Sequence, residues 1–331
     1  MIVMYLILIV LILGAVIYRG LSSYYAQKLI QSGLQRGYDW YEKTGHQLMD
    51  PSAFTIVEKQ RQLAETEAEG FWNKGKEIEV KSHDGLKLLG RIFQSSSPNK
   101  KWVVCVHDYR SDGKTDMSYI GKKYEEAGFN VLIPDLRAHG KSEGEIIGMG
   151  WLDRLDLIIW INYILQMQPD ANIILHGSSM GASAIMMASG EKLPPAVRGF
   201  ILDSGFVSVY AEFRYMLSKL TFLPKKMIMR HANRYAKKYA GYSLKQASAT
   251  RQLGSNHLPV LIIHGEEDQF VPVSAAYTIQ NATAGENDLF LIPEAQHLEA
   301  AVKDPTKYWT VVFSFIEQRI DWRESGYSEY K

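Results

Sequence analysis

The segment Asn172–Gly181 (NIILHGSSMG) constrains the fold more than any other part of the chain. Its first half is an apolar run typical of a buried strand, and small and apolar residues continue over Ala182–Ala188 as in a helix. Between the two, Gly177, Ser179 and Gly181 have the spacing G-x-S-x-G, in which glycines let a strand and a helix pass closely on either side of a strained serine. The segment therefore predicts a strand, a sharp turn that presents Ser179, and a helix.

A serine in such a turn needs chemical partners, because neutral serine is a poor nucleophile. A histidine must take its proton, and a carboxylate must orient that histidine. Taken alone, the three-position pattern would occur by chance in about one chain in ten of this length. Two downstream segments supply the partners: the apolar run Leu258–His264 leads to Asp268, and the run Asp288–Ile292 leads to His297. Ser179, Asp268 and His297 are therefore the predicted nucleophile, orienting acid and general base.

The surrounding sequence alternates apolar strands with helical patterns, which indicates a mostly parallel sheet. Trp102–Ser111 resembles an H-G-x oxyanion strand and loop, and Phe129–Ser142 resembles a D-x-R-G-x-G-x-S turn. From about Lys76 to about Arg319 the chain thus resembles α/β-hydrolases of the serine-esterase and serine-peptidase-like group, in particular membrane-anchored bacterial members. The resemblance implies an α/β-hydrolase fold, with a mostly parallel sheet flanked by helices and a small helical cap.

The resemblance also implies an oxyanion hole formed by the backbone N–H groups of Tyr109 and Met180. Asp108 is a departure, because the family usually has glycine there. Aspartate is among the few residues that tolerate a positive φ, so the loop can still form. The hydroxyl group of Tyr109 is a second possible oxyanion donor.

The amino terminus predicts a single membrane anchor. Met1–Tyr18 carries no charged side chain, and about 18 helical residues span roughly 27 Å, close to the hydrocarbon thickness. A cleaved signal peptide is the alternative, but no basic segment precedes the run and no small-x-small site follows it promptly. Arg19, Lys28 and Arg36 favour a cytoplasmic body by the positive-inside rule. The resemblance favours the outer face, and we expect an extracytoplasmic catalytic domain.

Composition divides the chain into four parts: an anchor (1–20), a helical stem (21–75), the hydrolase domain (76–320) with a cap insertion (207–257), and a polar tail (321–331). Within the stem, Val57–Glu69 has the pattern of a charged helix. The cap combines aromatic residues with ten bases and the single acid Glu212. The bases are Arg214, Lys219, Lys225, Lys226, Arg230, Arg234, Lys237, Lys238, Lys245 and Arg251. Such a surface suits contact with a membrane or an acidic substrate, or its charges merely solvate the outer face of the cap.

Several functional classes find no support in the sequence. The single cysteine, Cys105, excludes an intramolecular disulfide bond, and no metal or nucleotide motif is present. We therefore expect no metal and no cofactor. A net charge of +1 disfavours nucleic-acid binding. Asp153 and Asp156 are expected on a helix surface, and Asp135 and Arg137 in a structural ion pair or turn.

The predicted function is hydrolysis of carboxylic esters, or related acyl bonds, in a small or lipid-like substrate through an acyl-enzyme intermediate. A peptidase or amidase, or a thioesterase, would use the same three residues, because leaving-group preference depends on pocket shape. An alternative of another class is a non-catalytic, membrane-anchored scaffold with this fold, for which Asp108 is the only support.

Overall fold

A single sheet of eight strands organises the computed structural model, which describes residues 1–38, 62, 66–220 and 225–322. The strands are β1 (Lys76–Lys81), β2 (Lys87–Phe93), β3 (Lys101–Val106), β4 (Asn130–Pro134), β5 (Asn172–Ser178), β6 (Val197–Asp203), β7 (Val260–Gly265) and β8 (Asn287–Ile292). Their order is β1-β2-β4-β3-β5-β6-β7-β8. Strand β2 is antiparallel to both neighbours and the remaining pairs are parallel. The predicted fold class is confirmed.

Helices cover both faces of this sheet. They are α1 (Ile2–Leu34), α2 (Glu69–Lys74), α3 (Gly113–Glu126), α4 (Asp153–Met167), α5 (Met180–Ala188), α6 (Val209–Leu220), α7 (Lys225–Ala240), α8 (Ala249–Leu253), α9 (Ser274–Ala282), α10 (Ala300–Lys303) and α11 (Pro305–Arg319). Along β3, Trp102 and Val104 join the core beneath α4, α5, α8 and α9, whereas Val103 and Cys105 join the core beneath α2, α3, α10 and α11. This alternation is that of a strand buried on both faces.

Between β6 and β7, helices α6, α7 and α8 occupy the predicted cap insertion. Helix α7 presents Ile228, Met229, Ala232 and Ala236 to the interior, and its bases lie mainly on the remaining faces. The pattern is that of an amphipathic helix, in which one apolar stripe packs and the charged face meets solvent or another polar surface.

Helix α1 is continuous over 33 residues and passes through the predicted boundary at residue 20. Most side chains before Leu21 are exposed, whereas Ala26, Leu29, Ile30 and Leu34 are buried in the main core. The second half of the helix packs along α7. The helix does not end at residue 20 because apolar residues at helical spacing continue on the packed side. Residues 39–61 and 63–65 of the predicted stem, which include most of Val57–Glu69, and nearly all of the predicted tail lie outside the described residues.

The prediction that Asp153 and Asp156 lie on the surface is wrong, since they are 0% and 1% exposed. The Arg137 guanidinium binds Asp156 through two hydrogen bonds of 2.6 and 2.8 Å, and it also reaches Asp84 at 2.9 Å. The first turn of α4 lies beneath the loop that follows β4, so its acids face that loop rather than water. Such a bidentate pair fixes the loop after β4. The same loop carries His139, which accepts a hydrogen bond from the backbone N–H of Arg110.

Candidate active site

The turn between β5 and α5 holds Ser179 in the conformation that the sequence predicts. Its φ is 50° and its side chain is almost wholly buried. A Cβ atom on Gly181 would lie 2.1 Å from the carbonyl oxygen of Val106, and one on Gly177 would lie 2.5 Å from the nitrogen of Ala182. Neither distance is compatible with a side chain. Gly177 is therefore needed for the close approach of β5 and α5, and Gly181 for the close approach of α5 to the end of β3.

The structure brings the three predicted catalytic residues together from the carboxyl ends of three strands. His297 Nε2 lies 3.0 Å from Ser179 Oγ, and His297 Nδ1 lies 2.7 Å from Asp268 Oδ2. With Nδ1–H donating to the carboxylate, Nε2 is left as the acceptor for the serine hydroxyl proton. This geometry is suited to proton transfer from the serine to the histidine.

The Asp268 carboxylate is held by further donors. Its Oδ1 atom accepts hydrogen bonds from the backbone N–H groups of Phe270 and Val271, each at 2.8 Å. His264 Nε2 lies 3.2 Å from Asp268 Oδ2 and donates at 2.8 Å to the carbonyl of Val271. These contacts fix the carboxylate plane, and hence the tautomer and orientation of His297.

Opposing effects set the pKa of each member of the His297–Asp268 pair. Burial disfavours the imidazolium form, but the charge and hydrogen bond of Asp268 outweigh it and raise the pKa of His297 above its ordinary value of 6.5. Asp108 and Glu212 add to this effect. Burial likewise disfavours the Asp268 carboxylate, but His297 and His264 hold the pKa of Asp268 well below its usual range. The site thus stabilises a positive charge on His297.

Two buried histidines support the predicted oxyanion loop on either side of Tyr109. His107 Nδ1–H donates to the carbonyl of Asp108 at 2.7 Å, and the N–H of Arg110 donates to His139 Nε2 at 3.0 Å. Burial lowers the pKa of His107 to about 4 and that of His139 to about 3, so both rings are neutral near pH 7. Neutral rings provide one donor and one acceptor nitrogen each, as these contacts require.

The side chain of Tyr109 points to helix α1. Its hydroxyl group donates to the carbonyl oxygens of Ser32 and Gly33, at 3.2 and 3.1 Å. Arg110 also binds the carbonyl of Ser32. The alternative in which the hydroxyl of Tyr109 stabilises an oxyanion is therefore not supported. Instead, the residue joins the carboxyl-terminal end of α1 to the predicted oxyanion loop.

The second predicted oxyanion donor, the N–H of Met180, is occupied. It donates to Asp108 Oδ1 at 3.1 Å. The backbone of Asp108 is anchored separately, because its N–H donates to Asp116 Oδ2 at 2.9 Å. Asp108 thus leaves the loop in place and puts a carboxylate oxygen against the N–H of Met180, one of the two predicted oxyanion donors.

Helix α6 of the cap brings a second acid to the site. Glu212 is 5% exposed, and its Oε1 atom has no hydrogen-bond partner in the described part of the chain. Burial raises the pKa of Glu212 to about 8; the positive charge of His297 opposes this, and the negative charges of Asp268 and Asp108 add to it. An unpartnered buried carboxyl group costs on the order of 1–3 kcal/mol or more.

Neither Glu212 nor His139 was a predicted site residue. The signal for Glu212 was its position as the one acid in a basic cap, and the signal for His139 was its place in the D-x-R-A-H-G turn. Across residues 1–38, 62, 66–220 and 225–322, no group of three or more His, Cys, Asp or Glu side chains is arranged to hold a metal ion.

Comparison with known proteins agrees with the fold. Residues 97–244 match the family described as serine aminopeptidase, S33. YqkD of Bacillus subtilis, an uncharacterized protein, is 24% identical over 244 residues, which cover 73% of this chain and 79% of YqkD. YfhR of Escherichia coli K12, also uncharacterized, is 26% identical over 231 residues, which cover 67% and 73%.

Solved structures of hydrolases share this architecture. An esterase of Pyrococcus furiosus superposes with a TM-score of 0.60 at 21% identity, covering 75% of this chain and 91% of the esterase. An acylaminoacyl peptidase of Pyrococcus horikoshii gives 0.60 at 17% identity, covering 79% and 45%. At these identities the likeness is one of fold. The sheet order, the family match over residues 97–244 and these structures together show that the chain has the α/β-hydrolase fold.

The electrostatics of His297 predict an alkaline pH dependence. Only neutral His297 can accept the serine proton, and its pKa is raised, so kcat/KM for an uncharged ester should rise with pH along a limb centred above 6.5. Asp268→Asn removes the charge that raises this pKa; it should move the limb to lower pH and reduce kcat by roughly 10⁴-fold. The measurement is a pH–rate profile of both proteins.

The matched control is Asp288→Asn, which removes a partly exposed carboxylate paired with Arg319. It should change neither the limb nor kcat, because an exposed pair far from the reacting atoms has little effect on them. An acid limb at or below pH 6.5 in the unmodified protein would contradict this electrostatic account.

Proposed function

We propose that this protein is a serine hydrolase that cleaves carboxylic esters through an acyl-enzyme intermediate. The observation that carries the proposal is the hydrogen-bonded chain from Ser179 Oγ through His297 to Asp268. The oxygen of Ser179 attacks the carbonyl carbon while His297 Nε2 takes its proton. The resulting imidazolium is stabilised by Asp268 and later protonates the leaving alkoxide.

In the second half of the reaction, water attacks the acyl-enzyme and His297 takes a proton from it. The carbon–Oγ bond then breaks, the acid is released, and Ser179 recovers its proton. In both halves the negative charge on the carbonyl oxygen would be bound by the N–H groups of Met180 and Tyr109, provided that Asp108 moves away from Met180. Donors of this kind typically contribute about 3–4 kcal/mol each to transition-state stabilisation.

Ester substrates are the first choice, since solved structures that share the fold include an esterase. A peptidase or amidase is the second candidate, because the matching family is described as serine aminopeptidase and one structural neighbour is an acylaminoacyl peptidase. The same residues would act on an amide, with His297 protonating the leaving amine. A thioester would react by the same steps.

We also propose that α1 anchors the protein to the cell membrane, with the catalytic domain on the extracytoplasmic side. In the described part of the chain, α1 is the one helix long and apolar enough to span a bilayer, with a mean hydropathy of 2.6 over its best window. A signal sequence would share that composition. However, α1 continues without a break from its exposed half into the half packed on α7, which leaves no extended segment for a peptidase at its centre. An anchor is therefore favoured.

The cap supports the same proposal. Helix α7 packs along α1 just beyond its exposed half, and bases such as Lys226 and Arg230 are exposed on α7. Each base near an anionic leaflet contributes about 1 kcal/mol of attraction. The anchor would also hold the catalytic residues close to the bilayer, where lipid-like acyl substrates are concentrated.

The test of catalysis uses the full chain in detergent, with p-nitrophenyl esters of increasing acyl length. Ser179→Ala should lower kcat by at least about 10⁴-fold, because the nucleophile is lost, and should abolish labelling by a fluorophosphonate. Ser178→Ala is the matched control: it alters the adjacent serine and should keep both activities. Turnover that persists in Ser179→Ala would exclude this nucleophile. Absence of turnover and of labelling in the unmodified protein would favour the scaffold.

The test of anchoring uses membranes washed with alkaline carbonate and intact cells. The protein should stay in the washed membranes with its amino terminus intact. Because Cys105 is buried, Ser255→Cys adds an exposed thiol on a low background, and a membrane-impermeant maleimide should label it in intact cells. Labelling only after permeabilisation would reverse the assigned face, and release of the protein by carbonate would exclude the anchor.

A further inference from the structure

The side chain of Asp108 takes the position that a reacting carbonyl oxygen would need. Its Oδ1 atom accepts the hydrogen bond of Met180 N–H at 3.1 Å. The backbone on both sides of this side chain is fixed, since the N–H of Asp108 is bound to Asp116 and its carbonyl is bound to His107. The carboxylate can therefore leave Met180 by rotation of its own side chain, without movement of the loop.

Glu212 lies on the face of α6 that covers the triad. Tyr215 and Lys219 follow it at i+3 and i+7, and these spacings share one face of a helix. The hydroxyl of Tyr215, at 2.9 Å, and the ammonium of Lys219 both donate to the carbonyl of Gln269, the residue after Asp268. Glu212 precedes Tyr215 by one turn on this face, is buried, and is close enough to His297, Asp268 and Asp108 for their charges to act on its carboxyl group.

In the described part of the chain, neither acid has a lysine or arginine as a direct partner, and Lys219 acts on Glu212 only through its more distant charge. Over the described ranges, no lysine or arginine lies within salt-bridge distance of Asp108 or Glu212, and Glu212 Oε1 has no hydrogen-bond partner there. A buried carboxyl group without a partner is unfavourable unless a ligand supplies one. A positively charged group of a substrate would be such a partner for both acids.

We propose that Asp108 and Glu212 form an acidic subsite that selects acyl substrates with a positively charged group close to the scissile carbonyl. This inference rests on the proposed function. An ammonium group of the substrate pairs with Asp108 and draws Oδ1 away from Met180, and the freed N–H then binds the carbonyl oxygen. Glu212 provides the second acceptor and releases its proton to solvent as the ammonium binds. With an uncharged acyl group, Asp108 stays on Met180 and one oxyanion donor is lost.

The experiment compares two p-nitrophenyl esters of equal length, the β-alanyl and the butyryl ester, in which an ammonium group replaces a terminal methyl group. The quantity measured is the ratio of their kcat/KM values, with the full chain in detergent. Because each protein is given the same two esters, their intrinsic reactivities cancel when ratios are compared between variants. The ratio should fall about tenfold or more in Glu212→Gln and in Asp108→Gly.

The variant Asp108→Gly gives a second readout that structural damage would not produce. Removal of the carboxylate frees Met180 N–H, so kcat/KM for the butyryl ester should rise, by up to about 10²-fold if one oxyanion donor is regained. Glu267→Gln is the matched control. It removes an exposed carboxyl group from the loop that carries Asp268, and its ratio should equal that of the unmodified protein.

The outcomes separate this inference from the proposed function. If Ser179 is labelled and the butyryl ester is hydrolysed, but the ratio is unchanged in both Asp108→Gly and Glu212→Gln, the acidic subsite is wrong and the hydrolase stands. If the unmodified protein hydrolyses neither ester and is not labelled, both proposals are overturned.

Discussion

The close approach of two backbones at the turn before α5 is the constraint on which the rest of the site depends. Gly177 and Gly181 leave no space for a Cβ atom, and between them Ser179 adopts a φ of 50°. Such strain costs roughly 1–3 kcal/mol and persists only where the surrounding structure imposes it. Here β5 lies at the centre of the sheet, hydrogen-bonded to β3 and β6, and supplies that support. The same turn places Ser179 Oγ against His297 and the N–H of Met180 against Asp108.

Negative charge around His297 is the second determinant of the chemistry. Asp268 is bound to the ring, Asp108 adds its field from the predicted oxyanion loop, and Glu212 of the cap adds its own when it is ionised. This arrangement would stabilise the imidazolium of the proposed mechanism, and it also favours the protonated ring at rest. In the acidic-subsite proposal, a cationic substrate has two effects. Its positive charge offsets nearby negative charge and so favours the neutral form of His297, and its pairing with Asp108 frees the N–H of Met180.

Helix α1 connects this site to the part of the chain proposed to lie in the membrane. The carbonyl oxygens of Ser32 and Gly33 bind Tyr109, and a Cβ atom on Gly33 would lie 2.3 Å from the ring of Phe213 in α6. The oxyanion loop and the cap thus meet on one turn of α1. The helix is therefore a structural part of the active site as well as the proposed anchor.

Local sequence signals predicted the features that depend on few residues. The spacing around Ser179 defined the turn, and apolar runs ending in polar loops marked Asp268 and His297, because parallel strands bring their carboxyl ends to one edge of a sheet. Features that depend on long-range packing were missed. Burial of Asp156 requires the loop after β4 to fold over α4, and burial of Glu212 requires the orientation of the cap. Neither is encoded in the spacing of nearby residues.

The most direct test of the central claim is a crystal structure of the full chain after reaction with a fluorophosphonate. We expect phosphorus bonded to Ser179 Oγ and a phosphonyl oxygen within hydrogen-bond distance of Tyr109 N–H, with Asp108 still on Met180 N–H because this uncharged probe offers no ammonium group. An adduct on another residue would contradict the assignment of the nucleophile. An adduct on Ser179 whose phosphonyl oxygen lies away from the N–H of Tyr109 would contradict the assignment of the oxyanion hole.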